Sequence, residues 1–188
     1  MIVMLAFSDE TGLAFDEIID AYEKRVFNLI YRLIGDYEEA ADLTQDTFVA
    51  AYRAYGRFRN ECSVYTWLCR IAVNHCKNRF RERDRRRLYE DTSLDEVEEN
   101  SGGLPASDAV SPGEHVERKE LRERVEEAIM SLPPEYRIVA VLRDLQGLSY
   151  QEIEEATELS MDNVKVRLSR ARAMLRRKLA PYLDNQVP

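Results

Sequence analysis

The sequence predicts an all-α fold of two small helical domains joined by a flexible acidic linker, the C-terminal domain containing a helix-turn-helix. Three observations lead there. Apolar residues recur at the three- and four-residue spacing of amphipathic helices, and no long run alternates apolar with polar residues. Glycine and proline are few, at 7 and 6 residues, while helix formers abound. Between residues 89 and 113 the periodicity collapses into acids, Ser101-Gly102-Gly103, Pro105 and Pro112, a composition too polar to bury a core.

The first helix is expected from about Ala14 to Ile34. Its apolar face runs through Phe15, Ile18, Ile19, Tyr22, Val26, Leu29, Ile30 and Leu33, and Gly35 ends it. Asp36 and Glu39 resemble a capping pair for a second helix that reaches about Tyr55. Its inner face would hold Ala40, Leu43, Phe48, Ala51 and Tyr52, which turns Asp42, Gln45 and Asp46 outward as a polar patch. On its own such a patch is ordinary solvated surface.

A loop over residues 56–62 follows, and Ser63 caps a third helix from Val64 to about Arg87. Most of that helix is apolar, through Val64, Trp67, Leu68, Ile71, Ala72, Val73, Cys76 and Phe80. One stripe is not: Arg70, Asn74, Lys77 and Arg81, at intervals of four, three and four. Such a stripe suits a nucleic-acid backbone, and Phe58 and Arg59 in the loop add a ring and a cation for an unstacked base. The stripe alone fits the solvent-facing strip of a three-helix bundle equally well.

Beyond the linker, Ser111 and Pro112 start a helix to about Ser131, with Val116, Leu121, Val125, Ala128 and Ile129 inside. Pro133-Pro134 breaks it, and Pro134 opens another to about Leu145. After Gly147, Ser149 caps a short helix containing Ile153 and Ala156. Glu158-Leu159-Ser160 makes a tight connection, and Ser160 caps the last helix. There Val164, Leu168, Ala171 and Leu175 form a narrow buried stripe. Opposite lie Asp162, Val166, Ser169 and Ala173, flanked by Lys165, Arg172 and Arg176 on one side and Arg170 and Arg177 on the other. A slim strip rimmed with cations is what a helix needs to enter a major groove.

The net charge of −8 disfavours nucleic acid only as an average. Basic residues concentrate in residues 77–87 and the last helix, acids in residues 90–99 and 114–127, and local field decides where phosphate binds. Acidic segments would weaken DNA binding by the chain alone, so a partner supplying positive surface fits. Cys62, Cys69 and Cys76 are spaced by seven near His75. Two turns separate such neighbours by about 10 Å along the axis, too far for one zinc with bonds near 2.3 Å. No metal or other cofactor is expected, and no nucleophile–base set, phosphate loop or zinc motif suggests catalysis. The apolar opening, residues 1–7, is too short for a signal peptide or a membrane span, so a cytoplasmic protein is expected, where three free cysteines are at home. These observations leave two classes of DNA-binding protein open, one of them a stand-alone helix-turn-helix regulator. That regulator would need a dimer interface to read a palindrome.

Several blocks together resemble the bacterial RNA polymerase sigma factors of the sigma-70 family, extracytoplasmic-function (ECF) subgroup. They are Asp42-Leu43-Thr44-Gln45-Asp46-Thr47-Phe48, then Phe58-Arg59 leading into Tyr65-Thr66-Trp67-Leu68-Cys69-Arg70-Ile71-Ala72-Val73-Asn74. In the second domain they are Leu132-Pro133-Pro134-Glu135-Tyr136-Arg137, Gly147-Leu148-Ser149-Tyr150-Gln151-Glu152-Ile153 and the run from Val164 to Arg172. The resemblance implies an N-terminal sigma domain over residues 1–88, a linker over 89–113 and a C-terminal sigma domain over 114–188. It further implies that Asp42, Gln45 and Asp46 dock on the clamp of the largest polymerase subunit, the flap being the other contact of core RNA polymerase. Phe58, Arg59, Asn60, Arg70, Asn74, Lys77 and Arg81 would meet the −10 element of promoter DNA. Lys165, Val166, Ser169 and Arg170 would face the −35 element, with Asn163, Arg172 and Arg176 beside them. The linker would thread the polymerase interior, and an anti-sigma factor, often membrane-bound in relatives, would hold the protein inactive. Departures from the family pattern are Asp162-Asn163-Val164 where Gly-Thr-Val is frequent, Val166 where Ser is common, and Asn60 where glycine is frequent. Asn tolerates left-handed backbone better than most residues, so the loop shape is expected to survive. A promoter sequence borrowed from relatives is not.

Overall fold

The computed structural model describes residues 14–90 and 112–183. Among them seven α-helices form and no strand: α1 (Phe15–Ile34), α2 (Tyr37–Tyr55), α3 (Val64–Glu90), α4 (Pro112–Met130), α5 (Pro134–Ala140), α6 (Tyr150–Thr157) and α7 (Met161–Leu183). A π-helical turn, Val141–Leu145, prolongs α5. Most of the expected linker, residues 91–111, lies outside the described residues, as does the Ser111 cap.

Local chemistry sets the boundaries. Gly35 takes a left-handed φ of 85° and its N–H donates to the Tyr31 carbonyl, which terminates α1. Asp36 then accepts from the Glu39 N–H at 2.7 Å to start α2. Glu39 does not complete a capping box; its carboxylate pairs with Arg79 and Arg83 of α3 instead. Ser149 and Glu152 do form the reciprocal box at α6, with the Ser149 N–H donating to Glu152 at 2.8 Å. The tight connection after α6 depends on Glu158, a non-glycine residue at φ 61°.

Helices α1, α2 and α3 pack around Ile18, Leu29, Ile30, Leu33, Leu68 and Val73, all fully buried. Helices α4 to α7 close over Val139, Leu142, Ile153, Val164 and Leu168. Two expected inward residues turn out. Tyr52 is 54% exposed because Tyr55 takes the inner place, with Phe15 edge-on to both rings. Leu121 is 39% exposed, while Val125, Ala128 and Ile129 of α4 pack inward; the side chain of Val116, also expected inside, lies outside those described.

The two lobes do not sit apart. One contiguous cluster of buried residues spans both, with a small second cluster of Leu132, Ala140 and Ala171 beside it, and α6 lies along α3 and α1 against α4 and α5. Polar groups stitch the seam. Tyr65 donates its hydroxyl proton to Gln146 at 2.7 Å, Thr66 donates to Glu152 at 3.0 Å, and the Lys77 ammonium donates to the Thr157 carbonyl at 2.8 Å. Arg137, buried in α5, donates to the Leu33 carbonyl of α1 at 2.6 Å and to carbonyls of Met130 and Leu132. Burial lowers its pKa to about 10, and its Nε finds no acceptor. Leu68 stands at the centre of the N-terminal bundle. Leu68→Ala should therefore lower stability by about 2–5 kcal/mol, read as an earlier urea midpoint with an unchanged slope.

Candidate nucleic-acid interface

The last helix presents the face that its sequence periodicity predicts. Val164, Leu168 and Ala171 are buried against α5 and α6, and Leu175 is half-buried. On the far side Asn163, Lys165, Val166, Ser169, Arg170, Arg172 and Arg176 are all exposed, Val166 at 46%. Ser160 begins the helix, accepting from the Asn163 N–H at 3.4 Å. Two neighbours shape the cationic rim. The Arg170 guanidinium reaches the Tyr136 hydroxyl at 3.5 Å, and Arg172 is held by Asp144 in a hydrogen-bonded ion pair that raises its pKa. Val166 and Ser169 sit between these cations on low-profile backbone, a geometry that admits base edges while Lys165 and Arg170 reach outward.

The second basic surface surrounds the loop between α2 and α3. Asn60 adopts a left-handed φ of 55°, so it does take the backbone shape expected of it. Phe58 is half-buried with its ring stacked on Trp67, centroids 4.7 Å apart. Together with Arg57, Arg59, Cys62 and Arg70 these rings line an open cavity of about 540 Å³. A concave site with two aromatic rings and three guanidinium groups suits a single unstacked base with its phosphates. Its lining includes one residue from the other lobe, Glu155 of α6.

The α3 stripe is divided. Arg70 and Arg81 are exposed, Arg81 donating to Asn78 at 3.1 Å. Asn74 and Lys77 are half-buried, because α6 lies beside them, and burial lowers the Lys77 pKa. The stripe is thus not packed into its own bundle; what covers its middle comes from the C-terminal lobe. Sequence reasoning missed Gln146, Glu152 and Thr157, whose hydrogen-bond partners on α3 lie some eighty residues away. No local pattern signals such a contact. On α2, Asp42, Gln45 and Asp46 are exposed, as the helical period predicts, and Val49 beside them is 49% exposed.

Comparison with known proteins adds identity to this geometry. The family model for sigma-70 region 2 matches residues 18–86, and that for sigma-70 region 4 matches residues 122–175. The RNA polymerase sigma-H factor of Pseudomonas aeruginosa is 36% identical over 170 residues, covering 90% of this chain and 88% of that protein. The ECF RNA polymerase sigma-E factor of Haemophilus influenzae is 34% identical over 170 residues, covering 90% and 89%. Among solved structures, the sigma factor RpoE bound to the anti-sigma factor NepR from Bartonella quintana superposes with a TM-score of 0.71, at 22% identity, over 88% of this chain and 96% of that one. CnrH in complex with the cytosolic domain of CnrY gives 0.60, at 24% identity, over 95% and 92%. At these identities the solved structures speak for the fold.

The cysteines differ in setting. Cys69 and Cys76 are fully buried on the apolar side of α3, and burial pushes both thiols up to about 12. Cys62 is half-exposed at the cavity, its thiol raised by burial and then by Glu155. At pH 8 a thiol-specific reagent should therefore modify at most Cys62 in the native chain and all three cysteines in 6 M guanidinium, because only the thiolate reacts. Rapid native modification of Cys69 or Cys76, located by peptide mapping, would contradict the packing of α3.

Proposed function

For a chain that belongs to the ECF group of the sigma-70 family, we propose the following assignment of roles to its residues. An alternative sigma factor joins core RNA polymerase and directs promoter-specific initiation, and two reading surfaces divide that work here. The exposed face of α7, with Lys165, Val166, Ser169 and Arg170 over the groove floor and Asn163, Arg172 and Arg176 at its edges, reads the −35 element as duplex. The cavity and stripe formed by Phe58, Arg59, Asn60, Arg70, Asn74, Lys77 and Arg81 take the −10 element after melting. Asp42, Gln45 and Asp46 dock on the clamp of the largest polymerase subunit, and the C-terminal lobe meets the flap. None of these roles requires catalysis or a cofactor: phosphate contacts position the protein and base contacts specify the site.

The observation that carries the reading is the face of α7, where a strip of small residues flanked by cations stands open opposite a fully buried stripe. Val166 can touch a thymine methyl but donates no hydrogen bond, so its base preference differs from that of relatives with serine there. Splitting recognition over two modest surfaces gains affinity once polymerase fixes their separation. An anti-sigma factor belongs in the proposal, since one solved protein of this fold, RpoE of Bartonella quintana, was captured with the anti-sigma factor NepR. A membrane-bound regulator would then hold the chain at the membrane from the cytoplasmic side. No helix among the described residues is long and apolar enough to cross a membrane itself.

Run-off transcription with core polymerase on a promoter library tests the reading: added protein should select a defined subset of start sites. Tight operator binding by the free chain, with initiation unchanged, would instead mark a stand-alone regulator. Arg170→Ala should cost about 1–3 kcal/mol at one base step if the side chain makes a bidentate base contact; equal loss on every sequence would assign it to phosphate. Asp42→Lys combined with Asp46→Lys should weaken binding to core polymerase at least tenfold on a native gel, with the helical circular dichroism unchanged.

A further inference from the structure

Arg172 stands on the cationic rim of α7, and its guanidinium is gripped from outside the helix-turn-helix. Asp144, in the π-helical turn between α5 and α6, accepts from Arg172 Nε at 3.2 Å and from Nη2 of the same fork. We propose that Asp144 is a positioning residue for −35 recognition, which fixes the Arg172 fork so that it meets a DNA phosphate in one geometry; this rests on the −35 assignment of α7. The pairing takes the right edge for that role. The Nε–H and one Nη2 N–H lie along one side of the guanidinium plane, and the two Asp144 oxygens take that side. The end-on edge formed by Nη1 and Nη2 is not used by Asp144, and such an edge matches two phosphate oxygens. The carboxylate thus orients the fork without occupying its end.

The turn is built to hold this grip. In Val141–Leu145 the Gln146 N–H reaches back to the Val141 carbonyl at 3.0 Å, and π turns are rare and recur at functional sites. Val141 and Leu142 anchor it, both fully buried. Its two charged residues both serve the rim. Arg143 donates to the Leu148 carbonyl at 2.7 Å and lies over the Tyr150 ring, 5.0 Å from the centroid. The hydrogen bond to Asp144, with a smaller contribution from Tyr150, raises the Arg172 pKa.

Asp144 acts on DNA in two opposite ways. Its charge repels phosphate, although salt screens such a field within about 8 Å. Its grip removes rotamer freedom that an arginine otherwise loses on binding. A carboxylate already paired with a guanidinium repels weakly, so the grip dominates. The Asp144 and Arg172 side chains are 35% and 47% exposed, and an exposed pair adds little to stability, so the chain should fold without it.

Run-off transcription by the full-length chain with core polymerase tests this on a promoter selected from the library. Asp144→Asn keeps the shape but replaces an acceptor oxygen with a donor. It should raise the protein concentration for half-maximal product by roughly threefold to tenfold, with the helical circular dichroism unchanged. Asp144→Glu, which keeps the carboxylate, should recover most of that loss. In an Arg172→Ala background Asp144→Asn should cost nothing further, whereas a merely structural role for the turn would cost as much as before. An unchanged or lower requirement for Asp144→Asn, as removal of a repelling charge would give, overturns the proposal, and so does a loss that persists without Arg172. Should Arg172→Ala itself leave the requirement unchanged, the −35 role of Arg172 falls, and the positioning with it.

Discussion

The packing of α6 along α3 constrains everything else in this molecule. Helix α3 is apolar over most of its circumference, and its own bundle buries Trp67, Leu68, Cys69, Ala72, Val73 and Cys76. What remains is an edge carrying Thr66, Arg70, Asn74, Lys77 and Arg81. The part of that edge against which α6 lies cannot serve two partners at once. Whatever covers that edge, whether a protein helix or a nucleic-acid strand, displaces the other.

That exclusivity connects fold to function. Sigma-type recognition needs two sites held at a separation set by the promoter, and the polymerase supplies the geometry. In the closed chain the two lobes share one hydrophobic cluster, so they cannot adopt an arbitrary spacing. The net charge of −8 points the same way. Acids on α6 and elsewhere make free duplex an unattractive partner.

Most of the fold was legible in the sequence because its signals are local. The apolar stripes of α1, α3 and α7, the caps at Asp36, Ser149 and Ser160, and the stop at Gly35 are each decided within a turn or two. The candidate site was legible to the same extent: the exposure of Lys165, Val166, Ser169, Arg170, Asp42, Gln45 and Asp46 follows from helical period once the buried face is known. The failures share one cause. Tyr52 and Leu121 sit at the margins of their stripes, where a neighbouring helix decides which residue is inside. Glu39 offers a capping carboxylate that two arginines forty residues away outbid. The half-burial of Asn74 and Lys77 depends on α6, some eighty residues on, and nothing in the stripe itself anticipates it.

Interlobe distance is the most direct test of this account. With spin labels introduced at Lys24 on α1 and Gln151 on α6 by chemistry that spares the native cysteines, pulsed dipolar spectroscopy would compare the free chain with the polymerase–promoter complex. The closed packing predicts a single short, narrow distribution in the free chain, replaced by a longer one in the complex. A broad, long distribution in the free chain, or a short one that survives assembly on promoter DNA, would contradict it.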